Sequence, residues 1–234
     1  MFLSPLALFS QVEGFSKAKK FAIGIVFSPD YCYRLAAINP SVNYPPDHNN
    51  SIEIPLFGYT TGLNFLWQLN KRFSVEAGVS YSVQGYQTKD LAIAYGSGRG
   101  TPPFQPGDPL TDRSIYRYQY LDMPLKVNYY LHKTGVRLFV SAGVSVNTFL
   151  SETDTYKLTY GDGHSASTLS TEFYSYSKMN FAILAGIGTS FHVSKKLLVR
   201  IEPVYRQSLT PSSYSPIKDY LYSIGINTGL YFRF

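Results

Sequence analysis

The stretch 219–234, "DYLYSIGINTGLYFRF", alternates large apolar side chains with small or polar ones up to the last residue. Successive side chains of a β-strand point to opposite faces, so a strand here has one apolar face and one small or polar face. The apolar face carries Tyr220, Tyr222, Ile224, Ile226, Thr228, Leu230, Phe232 and Phe234. The opposite face carries Ser223, Gly225, Asn227, Gly229, Tyr231 and Arg233. The pattern therefore predicts a regular strand that ends at Phe234.

Seven further stretches have the same period of two, and no stretch of comparable length has the 3.6-residue period of a helix. Each is long enough for a tilted strand to cross a bilayer, which takes about 9–11 residues. The eight predicted strands are 20–33, 58–69, 73–86, 116–131, 136–149, 176–193, 197–208 and 219–234. Pro124 and Pro203 fall inside two of them. Because a proline removes a ladder hydrogen bond, we expect a β-bulge at each.

The connections between these strands alternate between short and long. The short ones are 70–72, 132–135 and 194–196, and the long polar ones are 34–57, 87–115, 150–175 and 209–218. Outer-membrane barrels have short periplasmic turns and longer extracellular loops. We therefore expect an all-β fold, an eight-stranded antiparallel transmembrane β-barrel with short periplasmic turns and long extracellular loops. An even strand number would place both termini in the periplasm.

Two opposite foldings satisfy the alternation, because the apolar face could be buried inside a soluble barrel or could meet lipid outside. The small face is rich in glycine, at Gly24, Gly62, Gly78, Gly143, Gly186, Gly188, Gly225 and Gly229. Glycine on a water-exposed strand surface weakens the strand. Inside a narrow eight-stranded barrel it makes room for larger neighbours. The sequence therefore predicts that the apolar face meets lipid.

The composition agrees with a membrane barrel. Charged residues make up 15% of the 234 residues and aromatic residues 16%, whereas soluble domains have about 25% charged residues. No run approaches the roughly 18 apolar residues that a spanning helix needs, which excludes a helical membrane protein. The net charge of +6 is spread over short clusters. Since these do not form a stripe interleaved with exposed aromatics, no nucleic-acid partner is expected.

The N-terminal stretch "MFLSPLALFSQ" is typical of the end of a secretory signal, although the usual basic region is missing. We assign 1–11 to a residual signal-peptide-like segment, 12–19 to a periplasmic lead-in and 20–234 to the barrel. A disordered apolar terminus is the alternative for the first segment.

The basic cluster at 17–20 and the basic turns at 71–72 and 195–196 would form a positive periplasmic rim. This rim would contact anionic headgroups or a periplasmic partner, or would consist of ordinary solvated turn residues.

Ionisable residues on the small face would point into the barrel. The expected luminal charge network consists of Glu76, Asp122, Lys126, Arg137, Arg200, Glu202, Arg206 and Arg233. Buried charges are costly unless they are paired, so the favoured interpretation is a salt-bridged plug, with a gated ion path as the alternative.

Aromatic residues near the short turns would form an interfacial girdle. They are Trp67, Phe73, Tyr129, Phe191, Phe232 and Phe234. A second girdle is expected at Tyr59, Tyr81, Tyr205 and Tyr222.

No catalytic, cofactor-binding or metal-binding residue is predicted. An eight-stranded lipid A-modifying enzyme would need a serine near a histidine and a carboxylate close to the outer rim. His132 and His192 fall at the opposite end. His164 has Asp162 and Ser165 beside it, but such close sequence neighbours rarely form a triad, and one histidine with one aspartate makes a poor metal site. A lipid A-modifying enzyme is therefore the less favoured alternative, and no cofactor is expected.

Three stretches resemble the small outer-membrane β-barrel proteins of the Bacteroidota, the porin-family or outer-membrane-protein barrel domains. They are "YLDMPLKVNYYL" (120–131), "AILAGIGTSFHVSKKLLVRIEPVYRQSL" (182–209) and "YSIGINTGLYFRF" (222–234). The resemblance spreads more weakly over 20–234 and implies export to the outer membrane. One branch of that family includes an accessory protein of the type IX secretion and gliding machinery. Strands that end in phenylalanine also resemble the C-terminal signature that the barrel-assembly machinery reads.

The expected function is that of a non-enzymatic integral outer-membrane barrel. It would serve as a structural or interaction scaffold, or as an accessory subunit of an envelope complex. Narrow, porin-like permeation is the alternative. The expected partners are outer-membrane lipid and lipopolysaccharide, the barrel-assembly machinery during biogenesis, and an envelope protein.

Overall fold

Strands make up most of the described chain. The computed structural model describes residues 20–38, 51–96, 102–131, 136–170, 176–212 and 217–234. Its strands are β1 (Phe21–Ile38), β2 (Glu53–Gln68), β3 (Phe73–Thr88), β4 (Leu91–Ala92), β5 (Pro109–Tyr130), β6 (Arg137–Tyr160), β7 (Ser165–Ser170), β8 (Met179–His192), β9 (Leu197–Ser208) and β10 (Ile217–Arg233). Among these residues, no helix is long and apolar enough to span a membrane. The predicted signal-like segment (1–11) and lead-in (12–19) lie outside the described residues.

Eight of these strands close into an antiparallel barrel. In order around the ring they are β1, β2, β3, β5, β6, β8, β9 and β10, and β10 pairs back onto β1. Following paired residues once around the ring from Ala22 leads to Cys32, ten residues further along β1. Such a stagger tilts the strands and fixes the width of the barrel. The predicted eight-stranded antiparallel fold is confirmed.

The apolar face of the barrel points outward. Ile187 and Val144, at mid-height on β8 and β6, are 56% and 54% exposed. Ser141 and Ala182, which alternate with such residues, are buried against the lumen. The result is a continuous apolar belt around the barrel, which only hydrocarbon can cover without cost. The orientation inferred from the glycines is therefore the one observed.

The two ends of the barrel are built differently. At the short-turn end, the connections cover 69–72, 131–136 and 193–196. At the long-loop end, the remaining connections join β1 to β2, β3 to β5, β6 to β8 and β9 to β10. The short strands β4 and β7 lie at this end, where they pair with the outer parts of β5 and β6.

Several strands continue further toward the long-loop end than predicted. β5 begins at Pro109 rather than 116, β6 runs to Tyr160 rather than 149, and β4 and β7 lie inside predicted loops. Toward the long-loop end, beyond the apolar belt, the outward face of β5 and β6 carries polar residues such as Arg117, Gln119 and Ser151. The inward face here carries aromatic residues such as Tyr118 and Phe149, so the pattern of apolar residues outside and small or polar residues inside no longer holds while the backbone pairing continues.

The bulges predicted at the two strand prolines are absent. Pro124 pairs with Ser145 on β6, and Pro203 pairs with Ile226 on β10, without a register shift at either position. On the other side of its strand, each proline interrupts the pairing. Pro124 interrupts the pairing of β5 with β3, and Pro203 interrupts that of β9 with β8; the register is the same before and after each gap. The prediction was wrong because a missing donor opens the pairing with one neighbour only and does not require an extra residue.

Candidate functional site

Four charged side chains meet on the barrel axis and form a group that we name the plug: Glu76, Lys126, Arg200 and Glu202. Each is at most 4% exposed. Arg200 Nη1 pairs with Glu76 Oε2. Lys126 Nζ lies 3.3 Å from Glu76 Oε1 and 2.8 Å from Glu202 Oε2. Two positive and two negative groups make the plug neutral, which is the condition under which buried charges are tolerated.

Polar side chains from other strands supply hydrogen bonds to the plug carboxylates. Asn64 Nδ2 donates to Glu76 Oε1 at 2.5 Å, and the Tyr231 hydroxyl donates to the same oxygen at 3.1 Å. Asn227 Nδ2 donates to Glu202 Oε2 at 3.3 Å. These donors replace the water that the carboxylates lose on burial. The plug therefore connects β2, β3, β5, β9 and β10 across the lumen.

An aromatic layer fills the lumen between the plug and the short-turn end. Tyr130, Phe139 and Tyr231 are at most 1% exposed. The Arg200 guanidinium carbon lies 4.2 Å from the centroid of the Phe139 ring, a cation–π contact that favours the buried charge. A Cβ on Gly188 would collide with the Phe139 ring. Glycine at this position therefore provides the space that the aromatic layer occupies.

A cavity of about 50 Å³ lies on the other side of the plug. It has room for roughly three or four water molecules. Its walls include Thr60, Ser80, Gln84, Asp122 and Asn147. Hydroxyl, amide and carboxylate groups of this kind bind water, and apolar side chains such as Val26, Leu184 and Val204 line the rest of the cavity.

Further luminal charges border this cavity. Arg206 Nη1 donates to Asp30 Oδ1 at 2.7 Å, and the Thr60 hydroxyl donates to Asp30 Oδ2 at 2.6 Å. Asp122 accepts a hydrogen bond from Asn147 Nδ2 at 2.5 Å. Asp122 and Arg206 were predicted to belong to one network with the plug residues. The structure places them in this separate layer.

An ion-paired group at the long-loop end was missed by the sequence analysis. Arg34 Nε donates to Glu53 Oε2 at 2.9 Å, and Arg34 Nη1 lies 2.8 Å from Asp219 Oδ1. Arg34 and Glu53 fell beyond the predicted strand ends. Asp30 and Asp219 fell inside predicted strands, on the same face as the luminal glycines, so the alternation itself could have indicated both.

Aromatic side chains also fill the lumen at the long-loop end. We name this group the tyrosine cap, and it consists of Tyr86, Tyr118, Tyr120, Phe149 and Tyr176. The ring centroids of Phe149 and Tyr176 are 4.8 Å apart, and those of Tyr86 and Tyr118 are 6.3 Å apart. Arg34 lies over the Tyr86 ring at 4.1 Å and joins the cap to the ion-paired group. The cavity is therefore bounded by packed side chains on both sides.

The last two predicted network residues, Arg137 and Arg233, lie at the short-turn mouth of the lumen. The Arg137 guanidinium carbon is 3.8 Å from the centroid of the Tyr130 ring, and its Nη2 donates to Lys71 O at 3.0 Å. Arg233 borders the mouth together with His192. The aromatic layer lies between this mouth and the plug.

The residues predicted to form the girdle encircle the short-turn end. Trp67, Phe73, Phe232 and Phe234 are between 41% and 54% exposed, and Tyr129 and Phe191 are half-buried. Phe21, which the sequence analysis did not include, stacks on Trp67 and on Phe234 at centroid distances of 6.1 and 6.2 Å. The second group forms the ring pairs Tyr59–Tyr81 and Tyr205–Tyr222, at 6.2 and 6.3 Å.

His164 lies at the surface, in the turn between β6 and β7. Its ring stacks on Tyr160 at 4.7 Å, and its Nδ1 is 3.8 Å from Asp162 Oδ1. The histidine side chain is 62% exposed, whereas a catalytic triad holds its histidine oriented between two partners. Within the described ranges, no group of three metal-ligating side chains occurs. His132 lies outside the described residues, and His192 ends β8 at the short-turn end.

A family model for the outer membrane protein beta-barrel domain matches residues 9–214. The chain belongs to this family. It is therefore an outer-membrane β-barrel protein, and the apolar belt is its lipid-facing surface. Among proteins of curated function, none matches the chain.

The chain is also similar to solved structures of outer-membrane proteins. Neisserial surface protein A is 11% identical, with 92% of this chain and 97% of that chain covered and a TM-score of 0.46. OprG from Pseudomonas aeruginosa is 13% identical, with coverages of 91% and 96% and a TM-score of 0.47. The outer membrane protease OmpT from Escherichia coli is 12% identical, with coverages of 95% and 99% and a TM-score of 0.46.

Proposed function

We propose that this outer-membrane barrel is a sealed, non-enzymatic scaffold whose long-loop end binds a partner in the envelope. The observation that carries the proposal is the filling of the lumen. The plug, the aromatic layer and the tyrosine cap occupy successive levels along the axis. An eight-stranded barrel is only wide enough for side chains to fill its interior, so little space remains for a solute path.

The proposed orientation puts the short turns in the periplasm and the long loops outside the cell, as is usual for outer-membrane barrels. Both termini would then be periplasmic. The hairpin of β5 and β6 would project from the outer surface, together with β4 and β7. In this orientation the projecting strands are the part of the protein that a partner reaches first.

Planar-bilayer recording separates the sealed scaffold from a narrow channel. The purified protein is expected to leave the bilayer silent. Glu76→Gln and Arg200→Gln are the informative variants, because both groups lie in the plug. Steady conductance by the unmodified protein that changes in either variant would overturn the proposal and favour permeation.

Co-purification tests the binding role. Deleting 112–117 together with 153–158 shortens paired parts of β5 and β6 by equal lengths and keeps the inward and outward faces in phase. A partner recovered from solubilised outer membranes with the full protein is expected to be lost with this variant. Retention of all partners by a variant that still folds would contradict binding through the long-loop end.

A lipid A-modifying enzyme would change lipid A when the protein is overproduced. We expect the mass spectrum of lipid A to be unchanged. An altered spectrum that reverts with His164→Ala would overturn the non-enzymatic part of the proposal.

A further inference from the structure

The short-turn end of the barrel is rich in basic side chains. The basic side chains described there are Lys20, Lys71, Arg72, Arg137, Lys195, Lys196 and Arg233. The described residues of this end include no aspartate or glutamate. The nearest luminal carboxylates, Glu76 and Glu202, are already paired with Arg200 and Lys126 in the plug. Positive charge that is partly removed from water favours an anion nearby.

A small cup opens at the centre of this charged end. Its polar wall consists of Lys20, Gln68, Arg137, His192 and Arg233. The rest of its lining is apolar and consists of Phe21, Ala22, Leu66 and Leu198. The cup has a volume of about 10 Å³, which is roughly one water molecule. It can therefore seat one oxygen of an oxyanion while the rest of the anion remains outside.

Arg137 is the best-placed donor at this cup. Its guanidinium is held over the Tyr130 ring at 3.8 Å, and its Nη2 is fixed by the carbonyl of Lys71 at 3.0 Å. Its Nε is buried and has no hydrogen-bond partner. Arg137 also lines the cup, so its guanidinium can donate to an acceptor seated there. A planar guanidinium also matches two oxygens of a phosphate or carboxylate.

We propose that the short-turn mouth of the barrel is a phosphate-binding site, with Arg137 and Arg233 as its main donors and Lys20 and His192 at its edge. Phosphate is favoured because it can carry two charges and offers several oxygens to a cluster of positive groups. The group can belong to a lipid headgroup, since the basic turns 71–72 and 195–196 surround the mouth at the lipid interface, or to a soluble phosphate. The site does not depend on the scaffold role.

Titration of the detergent-solubilised protein with inorganic phosphate, followed by ³¹P NMR, tests the site. The double variant Arg137→Gln with Arg233→Gln removes charge-assisted hydrogen bonds and is expected to weaken binding at least about tenfold. The matched control, Arg113→Gln with Lys218→Gln, removes the same charge at the long-loop end and is expected to bind as the unmodified protein does. Arg137→Lys, which keeps the charge but loses the planar fork, is expected to bind with intermediate affinity.

Native mass spectrometry from mixed micelles identifies the source of the phosphate. If the unmodified protein retains phosphatidylglycerol in preference to phosphatidylcholine and the double variant does not, the phosphate belongs to a lipid headgroup. Binding of inorganic phosphate without such retention supports a soluble phosphate. The proposal is overturned if neither ligand binds, if acetate displaces phosphate at equal concentration, or if the control variant loses as much binding as the double variant. Heat-dependent electrophoretic mobility verifies that each variant has folded.

Discussion

At the scale of single residues, Glu76 is the point on which the luminal contacts converge. Its two oxygens are engaged by Arg200, Lys126, Asn64 and Tyr231. Removing one partner of a buried ion pair is far more harmful than removing both, because the remaining charge stays buried without compensation. The stability of the barrel should therefore respond very unequally to single and paired substitutions here.

We expect Glu76→Gln to lower the free energy of unfolding by about 3–5 kcal/mol, since Arg200 would remain buried without its carboxylate. Urea unfolding in lipid vesicles measures this change. The control is Asp90→Asn, which removes a partly exposed ion pair with Arg113 and should cost less than about 1 kcal/mol. The double variant Glu76→Leu with Arg200→Leu should be close to the unmodified protein. Equal losses for Glu76→Gln and Asp90→Asn would contradict the role assigned to the plug.

The sequence indicated which charged residues face inward but not which of them meet. Alternation was enough to place Glu76 and Arg200 on the luminal face. Counting along the strand from the short turn at 132–135 placed Arg137 near the mouth. Alternation could not show that Arg200 meets Glu76, because contacts across the lumen depend on the stagger of the closed ring. That stagger is a property of all eight strands together and has no local signature in the sequence.

At the scale of elements, the hairpin of β5 and β6 extends beyond the apolar belt and buries acidic groups there. Glu152 and Asp154 are 5% and 3% exposed. Burial is the main factor that raises the pKa of Glu152, to about 7, and the nearby charge of Asp154 acts in the same direction. Hydrogen bonds from Tyr176 and Tyr118 act in the opposite direction. The folded hairpin therefore favours the protonated form of this carboxyl.

The opening of this hairpin should depend on pH. Because the opened hairpin releases the Glu152 proton near its ordinary pKa of 4.5 and the folded one near 7, the folded hairpin should lose stability as pH rises between these values. Hydrogen exchange of peptides from 150–160, corrected for the intrinsic rate, should show falling protection over this range. Glu152→Gln should flatten the dependence. A slope that persists in this variant would assign the effect to another group.

The elements inside the membrane were easier to predict from the sequence than those outside it. The strand that ends at Phe234 was indicated by its alternation, because the lipid-facing side of a strand requires apolar residues whereas the crowded lumen requires small or polar ones. Beyond the belt, polar residues such as Gln119 and Ser151 face outward and aromatic residues such as Tyr118 face inward, so the pattern that marked the membrane strands is lost. The backbone pairing of β7 with β6 therefore had no counterpart in the side-chain pattern.

At the scale of the whole molecule, the barrel depends on a seam between its first and last strands. The Phe234 amide donates to the Phe21 carbonyl at 3.0 Å, and the two rings stack at 6.2 Å. We expect Phe234→Ala to lower the fraction of protein that reaches the folded form in cells. Phe181→Ala is the matched control, because it also removes a lipid-facing phenylalanine, 50% exposed, away from the seam.

Refolding into vesicles separates the two contributions of Phe234. Slow closure of Phe234→Ala in vesicles as well as in cells would indicate that the seam contact itself matters. A defect confined to cells would support recognition of Phe234 by the assembly machinery. Equal behaviour of Phe234→Ala and Phe181→Ala in both settings would contradict any special role for the last residue.

The ten-residue stagger of the ring has a consequence for how the correct barrel is selected during folding. Sliding one strand by two residues keeps every oily side chain toward lipid, so hydrophobicity cannot distinguish the native alignment from its nearest competitors. Such a slip would, however, draw Asp30 away from Arg206 and Glu76 away from Arg200. We therefore expect the luminal ion pairs to select one strand register, and with it one barrel width and one strand tilt, from alternatives that hydrophobicity does not distinguish.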